Sequence, residues 1–166
     1  MSEEELKARK REELTRIYIN EILKNTFEGI SQLDEEAAET VLKSTCRGCA
    51  DRTLSLLAHK YGYDPKKHDL DAYIAAEEKV DNLLFPGQSS ITKEGNIITY
   101  ISKAGECACP LVKDYKIAQP SPNLCLCSKN FVRVMYEAAA KRPAKVEVIE
   151  SYNRGGNCCH FRVELL

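Results

Sequence analysis

A chain of 166 residues with a formal net charge of −1 suits one domain with its own core and lacks the concentrated positive surface that phosphate binding needs. No apolar run approaches the roughly 18 residues of a membrane span, and the charged opening Ser2-Glu3-Glu4-Glu5 has nothing like a signal peptide. These features argue against nucleic acid and membrane as main partners, and the cytoplasm is the expected compartment.

The first part reads as helices. Residues 3–27 contain no proline, and Gly29 follows as a stop signal. Leu14, Tyr18, Ile22, Leu23 and Phe27 keep a helical spacing and predict one apolar stripe. Before Leu14 charges dominate, with Glu3/Lys7 and Glu5/Arg9 at i,i+4. That front end is expected either to be solvated or to pack on a second subunit, which makes a homodimer one partner expectation. Asp34 predicts the cap of a second helix, with Leu33 as an apolar staple. Leu42, Cys46, Cys49, Thr53 and Leu57 fall on one face, with Gly48 as a candidate break. Gly62, Asp64 and Pro65 end the run. A third helix is expected from Asp69 or Asp71, through Tyr73, Ala76 and Val80, toward Leu84. Pro86-Gly87 closes the helical half.

The second half changes character. Residues 91–101, with Lys93-Glu94-Gly95-Asn96 between Ile91-Thr92 and Ile97–Ile101, read as a β-hairpin. Ser128 predicts the cap of a helix that carries Phe131, Val132, Met135, Tyr136 and Ala139 and ends before Pro143. Residues 145–152 and 158–165 flank Asn153-Arg154-Gly155-Gly156-Asn157 and predict a second hairpin. In the last strand Cys159, Phe161, Val163 and Leu165 alternate with Cys158, His160, Arg162 and Glu164, and the first set is the buried one. Val146, Val148 and Glu150 share a face of the partner strand. Glu150 is therefore either drawn into the core or placed beyond the covered part of the sheet. The expected fold class is α+β: a helical N-terminal half, then an antiparallel sheet of two hairpins with one packed helix. One domain is expected over 1–166, with a helical half at 1–86 and a cysteine-rich half at 87–166.

Eight cysteines are the chain's most informative feature. Four fall in Cys107-Ala-Cys109-Pro and Cys125-Leu-Cys127-Ser. Residues two apart on an extended backbone point the same way, so each pair presents two thiols to one side. In a reducing compartment such a set points to metal or to reactive thiols rather than to disulfides. Cys107, Cys109, Cys125 and Cys127 supply the sulfur for a tetrahedral zinc, with Cys159 and Glu150 as secondary candidates. Cys46 and Cys49 form Cys-x-x-Cys on a helix face that already carries leucines. They read as core cysteines that join the cluster only if the fold brings them there. The alternative for the whole set is packing, because free cysteine is among the most buried residue types.

Over roughly the last 75 residues, Cys107-Ala-Cys109-Pro-Leu-Val, Cys125-Leu-Cys127-Ser, Val146-Glu-Val-Ile-Glu-Ser and Cys159-His-Phe161 together resemble a family of small prokaryotic cysteine-rich proteins. The ending resembles, more distantly, the 4-vinyl reductase domain. That resemblance implies an α+β ligand-binding fold, often dimeric, used by sensors of small aromatic compounds. It also implies a zinc held by cysteines and a glutamate in some members. Cys159 then matches the final cysteine, Glu150 lies near the acidic position, and Cys125 or Cys127 lies near the upstream cysteine. Ser151 departs from the pattern, and Cys107 or Cys109 would have to replace the missing ligand. The same ending is similar to 2-aminothiazoline-4-carboxylate hydrolases, which implies an enzyme. Three functions are therefore expected: a small-molecule or metal-binding, sensor-like protein, a thiol-dependent small-molecule hydrolase, or a structural module with packed cysteines.

Overall fold

The computed structural model describes residues 2–84, 86–114 and 116–166. Its element order is α1 (Glu3–Ser31), α2 (Glu35–Lys60), α3 (Leu70–Leu84), β1 (Ser89–Glu94), β2 (Ile97–Ser102), α4 (Pro110–Lys113), α5 (Leu124–Ala140), β3 (Ala144–Glu150) and β4 (Cys159–Leu165). The α+β architecture expected from the sequence is present. The four strands form one antiparallel sheet in the order β1-β2-β4-β3, so the two hairpins join through β2 and β4.

Helix α1 starts with a capping box. Ser2 accepts from the Glu5 amide while the Glu5 carboxylate accepts from the Ser2 amide. The helix runs through Gly29, because one glycine costs only about 1 kcal/mol against alanine. Only its C-terminal end is covered. Phe27 and Ile30 are buried, whereas Leu14, Tyr18 and Ile22 stand 55%, 68% and 64% exposed. Asp34 caps α2 as expected, and α2 continues unbroken through Gly48. Its buried line is Leu42, Cys46, Ala50 and Leu57, and Cys49 is exposed, contrary to the expected shared face. The reason is the helical step: i,i+4 from Cys46 is residue 50, and residue 49 swings toward solvent.

Helix α5 starts four residues before the expected Ser128 cap. Its N-cap residue Asn123 makes no side-chain cap. Instead the Asn123 amide donates to the carbonyls of Ile30 and Leu33, at 3.1 and 2.8 Å. Both carbonyls lie at the turn that follows α1, and that of Ile30 also accepts from the Leu33 amide. A tertiary contact, not a local cap, fixes where α5 begins. Two apolar clusters result. Val132, Met135, Tyr136 and Ala139 of α5 pack with the sheet and α3. Leu124 and Leu126 pack with Phe27, Ile30, Ala38 and Leu42.

The sheet's inner face is built from cross-strand rows. Tyr100 lies opposite Phe161 and Ile91, Ile98 opposite Val163, and Ser102 opposite Cys159. Phe161, Val163 and Leu165 are buried as the alternation requires. The partner strand is different. Val148 pairs with Phe161 but Glu150 pairs with His160, so a bulge inserts Ile149 as an extra residue. The slip turns Glu150 onto the outer face with His160. There its carboxylate accepts from the Asn157 amide and from the Cys158 thiol, the latter at 3.4 Å. These contacts, the Asn157 amide first, lower the Glu150 pKa. Cys158, expected to be open on the outer face, is buried by this arrangement.

Gly156 makes room for Glu150. A Cβ there would stand 2.3 Å from Glu150 Cγ. Gly156→Ala should therefore destabilise the fold by about 1–3 kcal/mol, the usual cost of overpacking. Adding Glu150→Ala to that variant should recover most of the loss. Denaturant unfolding of the single and double variants checks this, and equal midpoints for Gly156→Ala and the parent would contradict it.

Candidate functional site

A cavity of about 310 Å³ opens between α2, α3, α5 and the inner face of the sheet. Its apolar wall includes Leu57, Val80, Phe131, Val132, Met135 and Phe161. The half-buried segment 107–109 and exposed Pro110 lie along its open side. That segment is tied to the β3–β4 connection, where the Tyr152 hydroxyl accepts from the Gly105 amide at 2.9 Å.

The polar lining comes from α3 and β2. Glu77 and Asp81 are four apart in α3, which puts both on the helix face that carries Tyr73 and Val80. Tyr100 and Ser102 reach in from β2. Glu77 accepts from the Tyr136 hydroxyl at 2.9 Å. Burial raises its pKa to about 7, against the hydrogen bonds from Tyr136 and Tyr73 and with the help of the neighbouring Asp81 charge. Burial also raises the pKa of Asp81, opposed by hydrogen bonding from Tyr100 and Ser89. Asp81 Oδ2 and Ser102 Oγ are both buried without a hydrogen-bond partner. No lysine, arginine or histidine lines the cavity among the described residues.

The cysteines divide into two neighbourhoods. Cys107, Cys109, Cys125 and Cys159 line the cavity, and Cys127 does not. The expected extended Cys125-Leu-Cys127 lies instead in α5, where residues two apart point about 200° away from each other. Cys125 turns to the cavity and donates to Ser151 Oγ at 3.1 Å. The serine that departs from the family pattern is thus the Cys125 partner, and it is wholly buried. Cys127 turns to α2, where its sulfur lies 3.0 Å from that of Cys46. Cys46 joins this second neighbourhood, Cys49 stands exposed beside it, and all eight cysteines are free thiols.

Among the described residues, no three Cys, His, Asp or Glu side chains are gathered as a metal ion requires. The geometry does not fit a single zinc centre, because the helix separates Cys125 from Cys127 and the bulge turns Glu150 away. Nor are Cys109, Cys125 and Cys159 activated. Burial raises the pKa of Cys109 and of Cys159 to about 11 and raises that of Cys125 as well. His160, the histidine nearest in sequence to Cys159, is on the other face of β4.

The cavity's carboxylates went unread in the sequence. Their signal was present: Glu77 and Asp81 keep the i,i+4 spacing of the apolar face of α3 rather than that of its solvated face.

No protein-family model matches the sequence, and no curated protein sequence matches it. The resemblance to the cysteine-rich family therefore has no support at sequence level. Solved structures do match in fold. A trafficking protein particle complex subunit 3 from Naegleria fowleri, covalently bound to palmitic acid, superposes with a TM-score of 0.54 at 13% identity, over 90% of this chain and 96% of that one. The phenol-responsive sensory domain of the transcription activator PoxR, with phenol, superposes with a TM-score of 0.51 at 8% identity, over 89% and 73%. At these identities the likeness is one of fold.

In the second neighbourhood the hydrogen bond with Cys127 lowers the Cys46 pKa despite burial. The same hydrogen bond, together with burial, raises that of Cys127. The pair gives up one proton more readily than two. Mild oxidation of the folded protein should therefore join Cys46 to Cys127 before any other pair, since the thiolate is the attacking species. Peptide mapping without reductant reads the linkage, and a first crosslink between cavity cysteines would contradict the assignment.

Proposed function

We propose that this chain is a sensor-like protein that binds a small, largely apolar organic molecule in the cavity between α3, α5 and the sheet. The observation that carries the proposal is the cavity itself. It has the size and the mainly apolar wall of small-ligand sites, with a few polar groups converging at one place. The phenol seen in the PoxR sensory domain supports a small aromatic ligand for a fold of this kind. Under this reading Phe161, Met135 and Tyr100 hold the body of the ligand, and the cysteines shape the entrance as small hydrophobes. The finer resemblance to the 4-vinyl reductase domain belongs to the same reading.

A second reading rests on the Naegleria subunit, whose palmitic acid is covalently bound. In this chain Cys107, Cys109, Cys125 and Cys159 all line the cavity, so an acyl chain held as a thioester is the alternative occupant. Intact mass before and after hydroxylamine treatment separates the two, because only a thioester is released. A thiol hydrolase gains nothing from the geometry at Cys109, Cys125 and Cys159, since burial raises their pKa and no histidine lines the cavity among the described residues. The exposed stripe of α1 supports a homodimer through that helix, and Tyr18→Glu should then shift the sedimentation of the full chain from dimer to monomer.

Ala108 lies half-buried at the open side of the cavity, outside the core. Ala108→Phe should narrow the entrance and weaken binding of 1-naphthol at least about tenfold, a loss of 1.4 kcal/mol, with the melting temperature unchanged. Calorimetric titration of the parent and the variant reads this. Unchanged affinity in the variant, or no binding of any small aromatic compound by the parent, would overturn the proposal.

A further inference from the structure

The cavity's polar end is chemically one-sided. It holds two carboxyl groups, Glu77 and Asp81, and no cationic side chain among the described lining residues. Buried carboxylates are ordinarily matched by a cation or by several donors, because an unmatched charge is costly away from water. Glu77 has the Tyr136 hydroxyl. Asp81 has hydrogen bonding from Tyr100 and Ser89. It is only 9% exposed and Ser102 only 3%, yet Asp81 Oδ2 and Ser102 Oγ have no partner. Both residues line the cavity, and these two buried atoms are left without a protein partner there. Around them stand the rings of Tyr73, Tyr100 and Phe161, with Tyr100 and Phe161 6.2 Å apart between centroids.

We propose that the ligand of this cavity is a small organic cation, an ammonium group on an aromatic or aliphatic body, whose head is held by Asp81 and Ser102. The inference rests on the small-molecule reading above and names the chemistry of its ligand. Three features of the site favour a cation over the other classes. An ammonium head brings three donors, enough to serve Asp81 Oδ2 and Ser102 Oγ together and to leave one for Glu77. Its charge offsets that of Asp81, which a neutral hydroxyl does not. The aromatic rings attract a cation through their negative faces. An anionic ligand would meet two carboxyl groups and no counter-charge, and like charges in a water-poor cavity repel. Asp81 is the specificity-determining residue, and Ser102 positions the head from β2.

The test uses the full chain and three isosteric probes in calorimetric titrations: benzylamine, benzyl alcohol and benzoate. Benzylamine should bind at least about tenfold more tightly than benzyl alcohol, a difference of 1.4 kcal/mol, and benzoate should not bind. Asp81→Asn keeps the shape and removes the charge. It should weaken benzylamine about tenfold or more and change benzyl alcohol less than about threefold. Ser102→Ala, which touches no charge, should weaken benzylamine by a smaller factor and guards against a folding defect in the first variant. Equal binding of benzylamine and benzyl alcohol, or undiminished benzylamine binding by Asp81→Asn, overturns the cation inference and leaves the small-molecule reading standing. Failure of all three probes and of 1-naphthol overturns both.

Discussion

The structure depends on helix α5 being buried on both sides. Its 17 residues bury leucine, cysteine, asparagine, valine, methionine and tyrosine around the circumference, and such a helix belongs to the inside of a molecule. One side of α5 forms the roof of the sheet, and the other completes the cluster between α1, α2 and α4. The Asn123 amide locks its first turn to the end of α1. Phe131 packs against both clusters. The helical half and the strand half are thus one body because they share this helix. The cavity lies where α5 and α3 diverge over the sheet.

The same helix decides what the cysteines do. Read as extended chain, Cys125-Leu-Cys127 presents two sulfurs to one site. Wound into α5, it sends one to the cavity and the other to Cys46. Nothing local marks that helix start: Asn123 is spent on a contact with α1 that is distant in sequence. The bulge at Ile149 is equally silent, because a single extra residue leaves the alternation of Val146 and Val148 intact and changes only the facing of Glu150 beyond it. Features with periodic or capping signals were legible. Asp34 and the Phe161-Val163-Leu165 face stand where the sequence puts them, and the first hairpin is present with its turn tightened to Gly95-Asn96, since Lys93 and Glu94 pair within β1. Features set by tertiary contact were not, and these were the ones that distribute the sulfur.

The cavity shows a conflict between packing and chemistry. A sheet face of Tyr100, Phe161, Ile98 and Val163 under an apolar helix would be most stable if filled and dry. Instead α3 turns Glu77 and Asp81 into it, and β2 ends its inner row on Ser102. Burial raises the pKa of both carboxyl groups, a sign that their charged forms are held at a cost. Residues that depart from the local pattern of an element in this way are expected at functional positions. The thiols around the opening are a milder case, since protonated cysteine packs as a small hydrophobe.

The central claim is that an external molecule occupies this cavity, and Met135 reports on it directly. Met135 is 1% exposed, lines the cavity, and is the chain's only methionine besides Met1. Labelling methionine methyl groups with ¹³C therefore gives one core signal and one terminal signal. Titration with benzylamine, and with 1-naphthol as an uncharged control, should shift the Met135 methyl resonance in a saturable way and leave that of Met1 in place. A Met135 signal that stays fixed while either compound binds elsewhere on the chain would contradict the account.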